Sequence, residues 1–424
     1  MKYLKTGLLL FLVNCIFILS SQAQDTVQYV VAGRANSAIQ QTKPYVIMIS
    51  ADGFRYDLAD KYNARFLKQI RAEGVQAPSM QPSFPSLTFP NHYTIATGLR
   101  PAHHGIVANT FYRNNGTQRY ALRDRSAVTD PSWYGGIPIW VLAEKQQMLS
   151  ASFYWVGSEA PIDGTYPTYY YHYNEQIPID RRIEIVKEWL QLPEDKRPHM
   201  ITFYMPEVDH QEHSYGVDND SVKAAVHFVD EAVRKLTEMT DALGLPVNYI
   251  FLSDHGMSNV DTQHPFSRPK SLDSSKFNVA IGASMVQLYA KNLSKKEIKK
   301  AYRALKNEAG DSYAVYLKKK TPRRWHYAAR DDRYGRIGDI LMVAPAGKAF
   351  NFSTRKSAPG EHGYDNEAQD MQATFYAWGP AFKERLTIPP FANIHVYPLV
   401  AKILGLELLE PVDGKLNVLE HILK

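Results

Sequence analysis

The chain has almost no cysteine. Cys15 is the only one among 424 residues, and it lies in an apolar stretch near the amino terminus. A disulfide framework is therefore excluded. An exported protein without disulfides is more typical of a bacterial periplasmic or secreted protein than of an animal extracellular protein, in which disulfides are common.

Beyond residue 23 the sequence also lacks a long apolar run and a strong excess of one charge. No later segment approaches the roughly 20 apolar residues that a membrane-spanning helix needs. There are 49 Lys and Arg residues against 43 Asp and Glu, a net charge of +6, which falls to +4 if Lys2 and Lys5 are removed with a leader. This balance predicts neither a stable nucleic-acid complex nor bulk membrane binding.

The first 23 residues have the pattern of a secretory signal peptide. A short basic start, Met1–Lys5, precedes the apolar stretch Gly7–Leu19 and the small-residue cleavage site Ser21-Gln-Ala23. We expect bacterial export, with a periplasmic or secreted mature chain of residues 24–424. About 400 residues can bury a large core, as one domain with an insertion or as two domains.

Three short apolar runs lead into acidic residues, which suggests strands of an α/β fold with a mostly parallel central sheet flanked by helices. In such sheets, ligands bind beyond the carboxyl ends of the strands. A lone Asp at a strand end is usually a turn residue or a helix cap, but three of them with nearby histidines favour two metal sites. The runs are Tyr45–Ser50 before Asp52, Met200–Met205 before Asp209, and Val247–Ser253 before Asp254. The six candidate ligands are Asp52, Asp209, His213, Asp254, His255 and His362.

Three further stretches of the sequence predict other parts of the fold. Apolar residues at spacings of three and four predict an amphipathic scaffold helix over Asp220–Leu243. Residues 271–324 predict a small inserted α+β lobe, in which Ser294 and Glu297 form a capping box before a lysine-rich, solvated helix. Residues 110–181 are rich in Tyr, Trp, Gly and Pro and show little periodicity, which is typical of a substrate-binding loop region.

The best candidate nucleophile is Thr88, which precedes Phe89-Pro90 and an apolar spacing typical of a helix start. A helix N-terminus presents free N–H groups and a positive dipole end to an anion. A threonine hydroxyl is a poor nucleophile at neutral pH, and coordination to a metal would lower its pKa. Taken alone, Thr88 is an ordinary helix cap or turn residue, so the catalytic interpretation depends on the metal ligands.

Five ordered motifs resemble the nucleotide pyrophosphatase/phosphodiesterase family of the alkaline phosphatase superfamily. The resemblance covers nearly the whole mature chain and implies an alkaline-phosphatase-like sheet within a phosphodiesterase catalytic domain of residues 24–424. The motifs are Thr88-Phe-Pro-Asn-His92, Thr97 to Asn109, Trp133 to Trp140, Ser253-Asp-His-Gly-Met257 and Glu361 to Asn366.

The resemblance implies two Zn²⁺ ions and assigns the ligands between them. Three protein ligands for each zinc leave a position open for substrate, and Asn109 would donate its amide to a non-bridging phosphate oxygen. The implied ligands of one ion are Asp209, His213 and His362. The implied ligands of the other ion are Asp52, Asp254 and His255, with the Thr88 oxygen close by.

The sequence departs from the family around Asp209. It has Val208 and Glu212 where animal members usually have a proline before the aspartate and a glycine before the histidine. The ligands are intact, but the local backbone is less certain. His210 is the competing ligand, and the family spacing favours His213.

The resemblance further implies a double displacement on a phosphodiester. Thr88 attacks phosphorus, and water then hydrolyses the phospho-threonine intermediate with overall retention of configuration. Related threonine-using monoesterases carry a Lys-x-Arg pair in a segment that resembles Ser152–Glu159, and this chain has no Lys or Arg there. A dianionic monoester would lack its cationic clamp, so a diester is favoured.

Nucleotides are the predicted substrates, with release of nucleoside 5'-monophosphates. The positions that sandwich the base in nucleotide-cleaving relatives match Phe89 and Tyr173, although Tyr169, Tyr170 or Tyr171 could take the place of Tyr173. Aromatic faces suit a nucleobase by stacking. Two alternatives remain: a phosphodiesterase for glycerophosphocholine-like or other small diesters, and a non-catalytic zinc-stabilised binding protein.

Overall fold

The computed structural model describes residues 27–113 and 116–424, so the predicted signal peptide, residues 1–23, lies outside the described residues. The strands are β1 Gln28–Val30, β2 Tyr45–Ala51, β3 Val75–Gln76, β4 Met80–Gln81, β5 Thr110–Arg113, β6 Gln118–Ala121, β7 Ser150–Phe153, β8 Tyr169–Tyr171, β9 Met200–Met205, β10 Val247–Leu252, β11 Ser258–Asn259, β12 Phe277–Ile281, β13 Met285–Ala290, β14 Ala314–Leu317, β15 Ile340–Val343, β16 Gly360–Glu361, β17 Phe375–Trp378, β18 Leu386–Thr387 and β19 Phe391–Ala392. The helices are α1 Leu58–Lys61, α2 Arg65–Glu73, α3 Thr88–Thr97, α4 Pro101–His104, α5 Arg125–Val128, α6 Ile139–Lys145, α7 Ile179–Leu190, α8 Glu207–Tyr215, α9 Asp220–Ala242, α10 Lys295–Ala309 and α11 Val396–Leu404.

A nine-stranded sheet with the order β1-β8-β7-β9-β2-β10-β17-β3-β18 forms the centre of the fold. The five adjacent strands from β8 to β10 are parallel, whereas β1 and β17 pair antiparallel with their neighbours. Every residue of β2, β9 and β10 is buried except the partly buried Tyr204, which explains their continuous apolar runs. The predicted α/β sheet is confirmed.

Helices cover both faces of this sheet, and alternate residues of each central strand enter the two cores. In β2, Val46 and Met48 pack in one core with α3, α6 and α11. Ile47 and Ile49 pack in the other core with α2, α7 and α9. The predicted scaffold helix is α9, which begins after the side-chain cap of Asn219. None of the helices in the described ranges has the length and apolar character needed to cross a bilayer.

The segment 110–181 contains more regular structure than its sequence suggests. Strands β7 and β8 belong to the central sheet, β5 and β6 form a hairpin, and α6 packs in a core. The segment therefore combines sheet and helix elements with loops, and its role as a substrate loop region stays a prediction. Strands of three or four residues that are buried throughout show no apolar–polar alternation, so periodicity could not reveal them.

The small lobe is a four-stranded antiparallel sheet of order β12-β13-β15-β14, with α10 packed on it. The apolar run Val279–Tyr289 divides into two strands of a hairpin. The capping box of Ser294 and Glu297 is present at the start of α10. The fourth strand, β15, follows residue 324, so the sheet includes residues outside the range 271–324.

Candidate active site

The six candidate ligands converge because they follow three adjacent parallel strands or lie beside them. Asp52 directly follows β2, and Asp254 and His255 follow β10 after one residue. Strand β9 leads into α8, which carries Asp209 and His213 one helical turn apart. Since β2 lies between β9 and β10, these side chains meet at one edge of the sheet.

Gly53 allows α8 to approach this edge closely. Its backbone has φ of +69°, a conformation that favours glycine. A Cβ at this position would lie 3.1 Å from both Asp209 Cα and a carboxylate oxygen of Glu212. A larger residue would therefore push the ligand helix away from the strand end that carries Asp52.

The three candidate carboxylates are buried and short of hydrogen-bond donors. One oxygen of each, Asp52 Oδ1, Asp209 Oδ1 and Asp254 Oδ2, accepts no hydrogen bond from the described part of the chain. Burial and the charges of Asp254 and Asp209 raise the pKa of Asp52 well above its usual value. Buried carboxylates packed together need positive charge, and a bound cation would supply it.

The candidate histidines are oriented as metal ligands usually are. The Nδ1 atom of each lies within hydrogen-bond distance of a backbone carbonyl, at 2.9 Å for His255, 3.0 Å for His362 and 2.8 Å for His213. When Nδ1–H donates to the carbonyl, Nε2 is left to bind a cation. The carbonyl acceptors belong to Gly256, Ser86 and Gly360.

The Nε2 atoms face the unpartnered carboxylate oxygens. His255 Nε2 lies 2.9 Å from Asp254 Oδ2 and 3.5 Å from Asp52 Oδ1. His213 Nε2 and His362 Nε2 lie 3.5 and 3.8 Å from the same Asp209 oxygen.

The charges of these groups are coupled. Burial would raise the pKa of Asp254, but His255 and His92 beside it hold that pKa well below its usual value. For His255, burial works to lower the pKa and the adjacent Asp254 raises it. A proton or a metal ion at Nε2 would therefore satisfy the same oxygens.

Two overlapping groups have the geometry to hold metal ions. Asp52, Asp254 and His255 have ligand atoms within 4.8 Å of one another, and so do Asp209, His255 and His362. The rings of His255 and His362 stack at 3.7 Å between centroids. Five of the six predicted ligands belong to these groups, and the sixth, His213, has its Nε2 3.5 Å from Asp209 Oδ1. The donor set of imidazole and carboxylate suits zinc.

Thr88 is the first residue of α3, at the edge of this cluster. Its Oγ1 lies 3.2 Å from His255 Nε2. The Phe89 backbone N–H donates to Asn109 Oδ1 at 3.0 Å, which leaves the Asn109 Nδ2 group to donate elsewhere. A hydroxyl and a side-chain amide therefore lie together beside the candidate metal ligands.

The competing ligand His210 points away from the cluster. It is exposed, and its Nδ1 lies 3.5 Å from a carboxylate oxygen of Glu175. By contrast, His213 Nε2 lies 3.5 Å from Asp209 Oδ1, which favours His213 over His210.

The aromatic candidates differ in their accessibility. Tyr173 is 40% exposed, donates its hydroxyl to Glu175 at 2.9 Å and contacts Tyr204 edge-on. The alternatives, residues 169–171, form the buried strand β8. Phe89 is partly buried, with its ring edge-on to Tyr120 at 6.2 Å.

Sequence reasoning missed several residues that support the ligands. The Tyr204 hydroxyl donates to Asp52 Oδ2 at 2.6 Å, and His92 Nδ1 lies 3.2 Å from Asp254 Oδ2. Glu212 is fully buried without a hydrogen-bond partner in the described structure, and burial with the nearby charge of Asp209 raises its pKa. The position of Tyr204 one residue before the end of β9 was the available signal.

The comparisons with known proteins agree with this geometry. The model of the family described as type I phosphodiesterase / nucleotide pyrophosphatase matches residues 46–365. A venom phosphodiesterase of Crotalus durissus collilineatus is 34% identical, covering 89% of this chain and 46% of its own length. Ectonucleotide pyrophosphatase/phosphodiesterase family member 1 of Mus musculus is 36% identical, covering 90% and 43%. The chain thus spans less than half the length of these relatives.

Solved structures of similar fold cover nearly the whole chain. Murine ectonucleotide pyrophosphatase / phosphodiesterase 5 superposes with a TM-score of 0.83 at 29% sequence identity, covering 90% of this chain and 100% of the other. A second structure of that murine protein is an inactive threonine-to-alanine variant in complex with AMP, with a TM-score of 0.83 at 28% identity, covering 90% of this chain and all of the other. The chain belongs to the type I phosphodiesterase / nucleotide pyrophosphatase family, so the predicted family is confirmed.

Proposed function

We propose that the chain is a zinc-dependent phosphodiesterase and nucleotide pyrophosphatase that releases nucleoside 5'-monophosphates. The observation that carries this proposal is the position of Thr88 Oγ1, 3.2 Å from His255 Nε2, at the start of α3 and beside the two groups that could hold metal ions. The relatives named as phosphodiesterases and nucleotide pyrophosphatases support the same activity.

In the proposed reaction, Thr88 Oγ1 forms a bond to phosphorus while the bond to the leaving alcohol or phosphate breaks. Water then forms a bond to phosphorus, the bond to Thr88 breaks, and the nucleoside 5'-monophosphate leaves. In this reaction the Asn109 amide stabilises charge on a non-bridging oxygen.

The proposed cofactors are two Zn²⁺ ions, one held by Asp209, His213 and His362 and the other by Asp52, Asp254 and His255. Bound zinc would lower the pKa of the nearby hydroxyl and offset negative charge on the phosphoryl group. The orphaned carboxylate oxygens and the orientation of the histidines support this assignment.

Nucleotides are the proposed substrates, and the base would lie against Phe89 and Tyr173. Tyr173 is accessible, whereas residues 169–171 are buried in β8. The solved murine relative in complex with AMP supports a nucleotide product.

The test compares hydrolysis of p-nitrophenyl thymidine 5'-monophosphate with that of p-nitrophenyl phosphate by zinc-loaded protein. We expect a strong preference for the diester, and loss of both activities in Thr88→Ala. Thr97→Ala is the matched control, because Thr97 lies on the same helix with its hydroxyl bonded to the Tyr93 carbonyl.

Each other outcome excludes part of the proposal. A preference for the monoester contradicts the diesterase assignment, and turnover that survives in Thr88→Ala contradicts the nucleophile. Absence of turnover with zinc bound favours a binding protein, and faster hydrolysis of glycerophosphocholine favours a different diester.

A further inference from the structure

The small lobe contacts the loop that carries Asn109. The contacts come from residues 321–337, called the connector here, which link β14 to β15. The Tyr327 hydroxyl donates to the Val107 carbonyl at 2.7 Å, and Arg336 Nη1 donates to the Gly105 carbonyl at 2.9 Å. The residues just before Asn109 are therefore held from outside their own segment.

Tyr327 is fixed on several sides. It is fully buried, its ring lies edge-on to Phe84 at 5.3 Å, and its carbonyl accepts the Thr321 hydroxyl at 2.8 Å. Burial raises the pKa of Tyr327 well above its usual value, so the hydroxyl remains a donor at neutral pH. The position of the Val107 carbonyl is thus defined by a side chain with little freedom to move.

Arg336 holds the start of the same loop. Its guanidinium is buried, and all its hydrogen bonds in the described structure go to backbone carbonyls, those of Gly105, Ser132 and Trp133. A buried cation is costly unless its donors are satisfied. Replacing it would remove the donor to the Gly105 carbonyl, so the connector and the loop are coupled at this point.

On its other side, Asn109 contacts the candidate nucleophile helix and the residue directly after β6. Its Oδ1 accepts the Phe89 N–H at 3.0 Å, and its carbonyl accepts the Leu122 N–H at 3.0 Å. The direction of Nδ2 therefore depends on the backbone position that Tyr327 helps to set two residues earlier.

We propose that Tyr327 is a positioning residue for phosphodiester hydrolysis, whose hydroxyl fixes Val107 and so holds the Asn109 amide against a non-bridging phosphate oxygen. This inference rests on the proposed function and on the role given there to Asn109. It makes the small lobe a part of the active centre, through a residue that touches neither substrate nor metal.

The test uses the two diastereomers of thymidine 5'-(p-nitrophenyl phosphorothioate), in which sulfur replaces one or the other non-bridging oxygen. The readout is the ratio of kcat/KM for the two diastereomers, measured in wild type, Asn109→Ala, Tyr327→Phe and the double variant. Tyr397→Phe is the matched control, since its hydroxyl is equally buried and donates to a backbone carbonyl, that of Ile137, at 2.8 Å.

Asn109→Ala should shift the ratio, because one diastereomer places sulfur where the amide donates. Tyr327→Phe should shift it in the same direction by up to about tenfold, through kcat more than KM, as loss of one hydrogen bond allows. The double variant should show the ratio of Asn109→Ala alone, and Tyr397→Phe the wild-type ratio. Thr321→Val should shift the ratio in the same direction but by a smaller factor than Tyr327→Phe. This second variant tests the inference if Tyr327→Phe folds poorly.

A wild-type ratio in both Tyr327→Phe and Thr321→Val overturns the inference, even where kcat falls, because a purely structural role lowers activity without changing the ratio. A wild-type ratio in Asn109→Ala also overturns it, and in that case the failure lies in the role proposed for Asn109. The two failures are thus distinguishable.

Discussion

At the residue scale, the Tyr204 hydroxyl orients the candidate ligand Asp52. Its bond of 2.6 Å to Asp52 Oδ2 leaves Oδ1 facing His255 Nε2. Partners of this kind usually contribute to metal affinity, so we expect Tyr204→Phe to weaken zinc binding by about tenfold. Competition with a chromophoric chelator measures this.

The control for that change is Tyr249→Phe. Tyr249 is also buried on a central strand, but its hydroxyl pairs with Thr240, away from the ligands. An equal loss of zinc affinity in both variants contradicts a specific role for Tyr204.

His104 makes stability depend on pH. Burial lowers the pKa of His104 from 6.5 to about 3, so the folded protein keeps it neutral while the unfolded chain takes up a proton below pH ~6.5. Its stabilising contribution is complete above that pH and is lost as pH falls toward 3, by about 1.4 kcal/mol per pH unit.

Urea unfolding at pH 7.5, 5.5 and 4.5 tests this effect of His104. His104→Gln should reduce the slope of the free energy of unfolding against pH. The reduction should correspond to the uptake of about one proton fewer on unfolding. His103→Gln, which changes the partly buried neighbour paired with Asp413, is the comparison. A steep dependence retained in His104→Gln assigns the effect to other groups.

The sequence predicted the six candidate ligands but not the residues that support them. Asp52 and Asp254 follow apolar runs, the motif Glu361 to Asn366 contains His362, and the family spacing favoured His213. The hydrogen bond from Tyr204 to Asp52 depends on the side-by-side pairing of β9 and β2, which no local pattern contains. Tyr327, similarly, contacts Val107 across 220 positions of sequence.

At the element scale, α10 offers a direct test of local stabilisation. The Ser294 hydroxyl accepts the Glu297 N–H at 3.3 Å, and Glu297 accepts the Ser294 N–H at 2.8 Å. Ser294→Ala should destabilise the small lobe by about 1 kcal/mol, seen as faster amide exchange in α10. Ser312→Ala, an exposed serine in the turn after the same helix, should leave the exchange unchanged.

The elements that the sequence predicted are those with a strong local period or a long apolar run. Helices α9 and α10 have the expected amphipathic spacing, and β2, β9 and β10 the expected runs. Strands β7 and β8 have three or four buried residues each, too few to show a period. Their membership of the sheet follows from the pairing of β7 with β9 and of β8 with β7, which is a property of the whole fold.

At the scale of the whole molecule, the buried carboxylates couple metal binding to folding. Without a cation, three acidic groups with orphaned oxygens lie together. Zinc at a thousandfold excess over its Kd should stabilise the protein by about 4 kcal/mol. Thermal unfolding after chelation and after zinc is restored measures the shift in Tm.

The matched variant for that experiment is Asp254→Asn, which keeps the size of the side chain and removes its charge. We expect it to lose much of the zinc-dependent shift in Tm. A Tm that is the same with chelator and with zinc in the wild-type protein contradicts the proposed metal centre.

The stereochemical course at phosphorus tests the role of Thr88 most directly. A single phosphorothioate diester diastereomer is hydrolysed in oxygen-18 water, and the configuration of the nucleoside thiophosphate product is determined. Attack by Thr88 followed by attack of water inverts phosphorus twice, so the account predicts overall retention. Overall inversion would show that water attacks in a single step, and Thr88 would then not be the nucleophile.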